Sequence, residues 1–156
     1  MCGIVGYTGY REAVPVLLDC LKKLEYRGYD SAGVAYFEDG QIDVIKASGR
    51  LSVLEGRIHE HGAIHSTCGI GHTRWATHGA PSDVNSHPQS SARISIVNNG
   101  IIENYRKLKE FLIHNGYEFV SETDTEVLVK LLDYYYKGDP LACILTTLSK
   151  VRGSYG

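Results

Sequence analysis

The chain begins Met1-Cys2-Gly3-Ile4-Val5-Gly6, so that removal of Met1 leaves a cysteine at the N-terminus. Cys2 then carries a thiol, with an ordinary pKa of about 8.5, and an α-amine, with an ordinary pKa of about 7.7–8. Because a nucleophile needs a neighbouring base, an N-terminal cysteine supplies its own. Cys2 is small, which favours removal of Met1. Alone, a cysteine at position two is an ordinary residue, so the catalytic interpretation depends on the rest of the chain.

Composition indicates one globular domain. The 156 residues are 43% hydrophobic and 22% charged, and 16 Lys and Arg against 18 Asp and Glu give a net charge of −2. This balance gives no electrostatic basis for binding nucleic acid or an anionic membrane. No apolar run approaches the roughly 18–20 residues of a membrane span. The N-terminus has neither the basic start nor the apolar core of a signal peptide, so we expect a cytoplasmic protein.

The four cysteines are too far apart for a metal-binding or redox Cys-x-x-Cys motif. Cys20 and Cys143 lie among Leu and Ile in helical patterns, so we expect both to be buried small hydrophobic residues. Reduced thiols fit a cytoplasmic protein better than a disulfide framework does.

The sequence predicts neither a metal nor a cofactor. His59, His61 and His65 are close together, but Gly62 makes a continuous helix doubtful and no nearby Cys or carboxylate completes a ligand set. The Gly69-x-Gly71 pair lacks the third glycine of a dinucleotide-binding fingerprint.

Apolar periodicity predicts alternating helices and strands. Strands are expected at residues 3–7, 34–37, 42–46, 68–72 and 94–97. Helices are expected at residues 14–24, 51–59, 105–114, from Thr123 to residue 135, and from the Asp139-Pro140 pair onward, the last with Leu141, Ile144, Leu145 and Leu148 on one face.

Turn and cap residues mark the boundaries of these elements. Asp39-Gly40 is suited to a type I′ hairpin turn, and Asn115-Gly116 is a helix stop. Thr123 followed by Glu126 fits a capping box. The final Gly153-Ser154-Tyr155-Gly156 reads as the start of a strand.

Residues 71–79, Gly-His-Thr-Arg-Trp-Ala-Thr-His-Gly, place a cation, a large aromatic residue, hydroxyls and glycines in a connection after a strand. Binding groups concentrate in such connections. Arg74 can hold a carboxylate with two parallel hydrogen bonds. For either residue taken singly, the favoured interpretation is the ordinary one, a surface arginine for Arg74 and a core tryptophan for Trp75.

The Asn98-Asn99-Gly100 segment follows the next predicted strand. A side-chain amide beside an unobstructed glycine N–H is a plausible pair of oxyanion donors. The alternative is a plain turn, since Asn-Gly is a common turn dipeptide. Asp124 also has an ordinary explanation, because an acid in the first turn of a helix is favoured by the helix dipole.

Five segments, taken in order, resemble the glutaminase domain of the glucosamine-6-phosphate synthase family of class II amidotransferases. They are Cys2-Gly3-Ile4-Val5-Gly6, Tyr26-Arg27-Gly28-Tyr29-Asp30-Ser31-Ala32-Gly33, residues 71–79, Asn98-Asn99-Gly100-Ile101-Ile102-Glu103-Asn104, and Ser121-Glu122-Thr123-Asp124-Thr125-Glu126. An N-terminal Cys-Gly-Ile occurs across the class, whereas the second and third segments point to this family within it.

The resemblance implies an α+β N-terminal-nucleophile hydrolase fold, a four-layer αββα sandwich of antiparallel sheets, and hydrolysis of the glutamine side-chain amide without a cofactor. The implied catalytic residues are Cys2 as nucleophile, and Asn99 with the Gly100 N–H as oxyanion donors. The implied substrate-binding residues are Arg74, Thr77 and the His78 backbone for the α-carboxylate, Asp124 for the α-ammonium group, and Trp75 on a loop that closes over the site.

Further expectations follow from the resemblance. Residues 1–156 would form a glutaminase domain that continues past Gly156, with glutamine as substrate and glutamate as product. The family's sugar isomerase domain, which uses the ammonia to convert fructose 6-phosphate to glucosamine 6-phosphate for amino-sugar synthesis, is absent, and the full-length enzyme would be a homodimer. The alternatives are another class II amidotransferase, such as the one serving purine synthesis, and a catalytically silent fragment that only binds.

Overall fold

A four-stranded antiparallel sheet, here called the main sheet, carries the N-terminus. The computed structural model describes residues 2–75 and 79–156. The strands are Gly3–Thr8 (β1), Ser31–Glu38 (β2), Gln41–Ser48 (β3) and Cys68–Arg74 (β4). Their order across the sheet is β1-β4-β2-β3.

The turn between β2 and β3 confirms the hairpin prediction. Asp39 has φ 49° and Gly40 has φ 81°, and positive φ at both central residues is what a type I′ turn requires. The paired strands extend beyond the predicted ranges, because Ser31 pairs with Ser48 at the open end and Glu38 with Gln41 beside the turn. The residues beyond the predicted ranges are therefore held in the strands by pairing between β2 and β3 rather than by their own β propensity.

Two helices cover one face of the main sheet. They are Ala13–Leu24 (α1), which packs on β1 and β4, and Leu51–His61 (α2), which packs on β3. The core between helices and sheet is apolar and includes Val14, Leu17, Leu21, Val34, Tyr36 and Leu54. Each helix begins at the predicted residue or directly before it.

Two small antiparallel sheets lie toward the other face. One pairs Gln89–Ser90 (β5) with Ser95–Ile96 (β6), and the other pairs Ile101–Ile102 (β7) with Gly153–Ser154 (β8). The strand predicted at residues 94–97 is therefore only two residues long, because β5 offers a two-residue partner. The strand start predicted near Gly153 is confirmed.

Three further helices form the outer layer, Tyr105–His114 (α3), Asp124–Tyr135 (α4) and Pro140–Lys150 (α5). A second core lies among these helices and β7, and includes Ile102, Leu112, Val127, Leu131 and Val151. The order from one side to the other is helices, main sheet, small sheets, helices, so the α+β architecture with antiparallel sheets is confirmed.

Of the two hydrogen bonds of the capping box predicted at α4, the structure contains the one accepted by Thr123. Thr123 Oγ1 accepts the Glu126 N–H at 3.2 Å. The Glu126 carboxylate instead accepts the N–H groups of Val120 and Ser121 and pairs with Lys130. Burial would raise the pKa of Glu126, but these hydrogen bonds, the one from Lys130 foremost, hold it below its ordinary value. The carboxylate therefore anchors the segment that leads into α4.

The apolar face of α5 is not a core face. Leu141, Ile144, Leu145 and Leu148 are 66%, 45%, 61% and 39% exposed, while Cys143 and Thr147 are buried. The Asp139 cap is as predicted, since its carboxylate accepts the N–H groups of Leu141 and Ala142. Periodicity thus located the helix but not the side that packs.

The four cysteines are free thiols, with Cys143 buried and Cys20 only half-buried, which corrects the expectation for Cys20. His65 Nδ1 lies 3.0 Å from a Glu12 carboxylate oxygen, and His61 Nε2 lies 3.4 Å from the Tyr36 hydroxyl. Residues 2–75 and 79–156 contain no group of three or more side chains placed to hold a metal ion. Within the same residues, no helix combines the length and apolarity needed to cross a membrane.

Candidate functional site

A cavity of about 360 Å³ lies where the end of β4, the start of β7 and the start of α4 meet. Its lining includes six of the eight residues predicted for the site, namely Cys2, Arg74, Trp75, Asn99, Gly100 and Asp124. The remaining two, Thr77 and His78, lie outside the described residues, so their roles stay predictions.

Strand pairing brings Cys2 and Arg74 to the same place. Gly3 lies opposite Thr73 in the β1–β4 ladder, so Cys2 lies beside Arg74 at the next position along it. Glycines on β4 face α1, since a Cβ on Gly71 would lie 3.0 Å from Leu21. Because side chains alternate along a strand, Arg74 points away from α1 and toward the small sheets.

The thiol of Cys2 is held between two segments. The backbone N–H of Trp75 donates to the Cys2 sulfur at 3.3 Å, and the thiol lies 3.6 Å from the Trp75 carbonyl oxygen. From the other side, Asn99 Nδ2 donates to the Cys2 carbonyl oxygen at 3.3 Å. The candidate nucleophile and the candidate oxyanion donor therefore share a wall of the cavity.

The plain-turn explanation of Asn99-Gly100 does not fit the backbone. Among the described residues, Asp39 is the one non-glycine residue with positive φ, and Gly100 is not among the positive-φ glycines. Gly100 is instead required by a close approach, because a Cβ there would lie 2.0 Å from the Ser154 carbonyl oxygen. The Asn99 N–H donates to the Gly156 carbonyl oxygen at 2.9 Å, so Gly156 helps to hold this segment in place.

Arg74 and Asp124 put opposite charges on one cavity. Arg74 is 3% exposed and Asp124 is 5% exposed. Burial lowers the pKa of Arg74, and Cys2, Asp30 and Asp124 oppose that effect. Asp124 also accepts the Ile102 N–H at 2.7 Å, so it ties α4 to β7 in addition to any role toward a ligand.

The Tyr-Arg-Gly-Tyr-Asp run supports the rim of the cavity. A Cβ on Gly28 would lie 2.8 Å from the Arg74 carbonyl carbon, so only glycine allows the two backbones to pass. Trp75 is 47% exposed and meets the Tyr29 ring edge-on at 6.0 Å, while the Arg50 guanidinium lies 5.8 Å from the same Tyr29 ring. Trp75 is therefore a rim residue rather than a core tryptophan.

Five further residues line the cavity, and the sequence analysis gave none of them a role in the site; they are His87, Asn98, Ile101, Thr123 and Thr125. Asn98 Nδ2 donates to Thr125 Oγ1 at 3.3 Å, which joins the oxyanion segment to the first turn of α4. Both Asn98 and Thr125 adjoin residues that the sequence did single out, so adjacency was an available signal. His87 lies in an irregular stretch and gave no periodic signal.

Comparison with known proteins gives a concordant result for the whole chain. A family model described as a glutamine amidotransferase domain matches residues 55–143. The chain is 61% identical to the glutamine–fructose-6-phosphate aminotransferase (isomerizing) of Clostridium tetani and 54% identical to that of Thermus thermophilus, in each case over 99% of this chain. The chain spans about a quarter, 26%, of the length of these curated relatives.

Solved structures share the fold. A glutamine phosphoribosylpyrophosphate amidotransferase from B. subtilis, complexed with ADP and GMP, superposes with a TM-score of 0.80 at 25% identity. A structure described as the allosteric regulatory enzyme of purine biosynthesis gives a TM-score of 0.84 at 26% identity. Each alignment covers 99% of this chain and 34% of the solved chain.

Proposed function

Because the chain belongs to the glutamine amidotransferase domain family, we propose that it hydrolyses the side-chain amide of glutamine to glutamate and ammonia, with Cys2 as the nucleophile. The observation that carries this proposal is the placement of Cys2, Arg74, Asn99 and Asp124 on one cavity. N-terminal-nucleophile hydrolysis of an amino-acid amide needs these four kinds of group together, and Cys2 and Asn99, which are 97 positions apart, already touch.

Recognition uses the two charges of an amino acid. The guanidinium of Arg74 binds the α-carboxylate of glutamine, and the carboxylate of Asp124 binds its α-ammonium group. A zwitterion requires one cation and one anion, and burial strengthens both interactions by excluding water. Thr77 and the backbone of His78 assist Arg74, and Trp75 closes the rim over the bound substrate.

Chemistry begins when Met1 has been removed. The freed α-amine of Cys2 takes the thiol proton through a water molecule, and the sulfur attacks the amide carbon. Asn99 Nδ2 and the Gly100 N–H stabilise the oxyanion. Ammonia leaves with the proton, and water then hydrolyses the glutamyl thioester, which releases glutamate and restores the thiol.

The ammonia would be used by a further domain of a longer polypeptide. The similarity to the Clostridium tetani enzyme, named for glutamine and fructose 6-phosphate, supports transfer of ammonia to fructose 6-phosphate by a sugar isomerase domain beyond this quarter of the length. The product would be glucosamine 6-phosphate, made in the cytoplasm by a homodimer that needs no cofactor for the glutaminase step.

The alternative acceptor is the one used in purine synthesis. The solved purine enzymes match the fold closely, with a TM-score of up to 0.84. Their identity of 25–26%, against 61% for the Clostridium tetani relative, favours the sugar phosphate. A chain that binds glutamine without hydrolysing it is the other alternative.

A glutaminase assay on chains of known N-terminus tests the proposal. Intact mass identifies molecules that have lost Met1, and these should release ammonia from glutamine while molecules that retain Met1 should not. Cys2→Ala should abolish release without changing the melting temperature, and Cys68→Ala, at an exposed cysteine, should leave it intact. Release by Cys2→Ala at the wild-type rate would refute the mechanism.

A further inference from the structure

Two buried histidines stack beneath the cavity. The rings of His72 and His87 lie 4.5 Å apart, centroid to centroid, with 28° between their planes. His72 is 0% exposed and His87 is 6% exposed. His87 lines the cavity together with Arg74, Asn98 and Asn99. The proposed mechanism gives this pair no task.

The stack joins the two layers that build the site. His72 belongs to β4 and, two positions before Arg74, points the same way as Arg74. His87 comes from the connection that precedes β5 and is pressed onto the main sheet. A Cβ on Gly33, the partner of His72 in β2, would lie 2.2 Å from the His87 carbonyl oxygen.

The rings stay neutral in this environment. Burial lowers the pKa of His72 to about 4, against an opposing effect of the Asn98 backbone and with a further lowering by Arg74. Burial also lowers the pKa of His87 well below its ordinary value, with His72, Arg74 and Lys46 adding to the effect. Within the described part of the chain, no ring nitrogen of either residue has a hydrogen bond of ordinary geometry. The contact that the structure shows between the two side chains is therefore the stacking of their rings.

We propose that His87, backed by His72, is a positioning residue of the cavity: the stacked rings set the spacing between the main sheet, which carries Cys2 and Arg74, and the Asn98-Asn99-Gly100 segment. This inference rests on the proposed glutaminase function. A misplacement of about 1 Å can cost on the order of 10²-fold in rate, so the thickness of one aromatic ring at this place matters for turnover.

Charge explains why the stack must be neutral. Arg74 on β4 and Lys46 on β3 are the charged groups that act on the ring of His87, together with His72 itself. A proton on either ring would place a further positive charge beside Arg74 in a buried site. Such repulsion would push apart the layers that the stack holds together.

Three substitutions at His87 in the 156-residue chain test the proposal. His87→Phe keeps a flat neutral ring and should keep kcat within about threefold of wild type. His87→Leu fills much of the space without a flat face and should lower kcat about tenfold, and His87→Ala should lower it more. His61→Ala, at a histidine whose ring meets Tyr36 edge-on at 6.3 Å outside the cavity lining, should leave kcat unchanged.

The melting temperature of each variant is measured as well. If His87→Ala does not fold, the comparison between His87→Phe and His87→Leu still tests the proposal. Folded Ala or Leu variants with wild-type kcat would overturn the proposal, and so would a folded Phe variant as slow as Leu. Ring titrations by NMR give a readout that does not need activity. The His72 ring should titrate at about pH 4, and the His87 ring should titrate well below the ordinary value of 6.5. Titration of either ring at the ordinary value would overturn the neutral stack. An inactive wild type with two neutral rings would instead refute the proposed function alone.

Discussion

The backbone N–H of Trp75 donates to the sulfur of Cys2 across 3.3 Å, although 73 positions separate them in the chain. This contact depends on the β1–β4 ladder, in which Gly3 lies opposite Thr73. The main sheet thus orients the thiol before any substrate arrives. Such preorganisation places the nucleophile against the charged groups that would hold an amino acid.

Selective labelling should follow from this placement. A glutamine analogue with an electrophilic ketone in place of the amide should modify Cys2 ahead of Cys68, although Cys68 is the more exposed thiol. The rate of labelling by the analogue then depends on binding of its glutamine-like part at the cavity and not on how exposed each thiol is. Peptide mapping by mass spectrometry reads the site, with iodoacetamide as the reagent that lacks recognition and is expected to reach Cys68. Preferential labelling of Cys20, Cys68 or Cys143 by the analogue would remove Cys2 from its role.

Replacing Arg74 by lysine should raise KM for glutamine about 10-fold or more and leave kcat within a few-fold. Hydrogen bonds to charged groups contribute roughly 1.5–3 kcal/mol, and lysine keeps the charge but lacks the planar fork. Steady-state kinetics give the result. Arg57→Lys is the matched control, since Arg57 pairs with Asp83 away from the cavity lining and should leave KM unchanged. An unchanged KM in Arg74→Lys would contradict two-point binding of the carboxylate.

Asp124→Asn separates the two tasks of this residue. The amide oxygen can still accept the Ile102 N–H, so the melting temperature should change little. The lost charge should raise KM for glutamine about 10-fold or more. Asp139→Asn makes the same change at the start of α5, and its KM should equal that of wild type. If Asp124→Asn binds glutamine as well as the parent does, Asp124 is only a link between α4 and β7.

Asn99→Ala and Asn99→Gly should both lower kcat by about 10²–10³, with KM moving little, because an oxyanion donor acts mainly in the transition state. Some activity should survive, since the Gly100 N–H still donates. Asn115→Ala, at the end of α3, controls for loss of an asparagine. Wild-type kcat in Asn99→Gly, measured beside an unchanged melting temperature, would leave Asn99 outside the mechanism.

Acid should destabilise the fold through the buried histidine pair. The native pKa of His72 is about 4, against 6.5 for the ordinary group. Between these values the unfolded chain binds a proton that the native chain does not. The free energy of unfolding should therefore fall by about 1.4 kcal/mol per pH unit for this group as pH drops from about 6.5 to about 4, and be unaffected above that window.

Urea titrations at several pH values measure this slope. His72→Phe should flatten it by one proton. Equal slopes in His72→Phe and wild type would show that His72 titrates alike in the two states.

Periodicity and cap residues predicted the elements well where local pattern decides them. α3 begins and ends at the predicted residues, and the turn at Asp39-Gly40 has the expected backbone. The pattern could not predict β6, whose length is set by its partner β5, or the face of α5 that packs, since Cys143 and Thr147 are not the most apolar residues of that helix.

The site divides in the same way. Cys2 and Arg74 could be proposed from residue chemistry, because few roles are open to a thiol and a guanidinium in these sequence segments. The importance of His87 could not, because its position depends on a ring from β4 and on a glycine in β2. Gly100 was predicted for its N–H alone, whereas the structure adds the passage of Ser154 beside its α-carbon.

Because of that close approach, a library of all substitutions at positions 99 and 100 should give different results at the two positions. At Gly100 any side chain would collide with the Ser154 carbonyl oxygen, which lies 2.0 Å from where a Cβ would stand, so variants should be depleted by a selection for folded protein as well as by a selection for ammonia release. At Asn99, whose side chain is exposed, variants should pass the first selection and fail the second. The contrast between these two adjacent positions would therefore distinguish a residue required for folding from one required for the reaction.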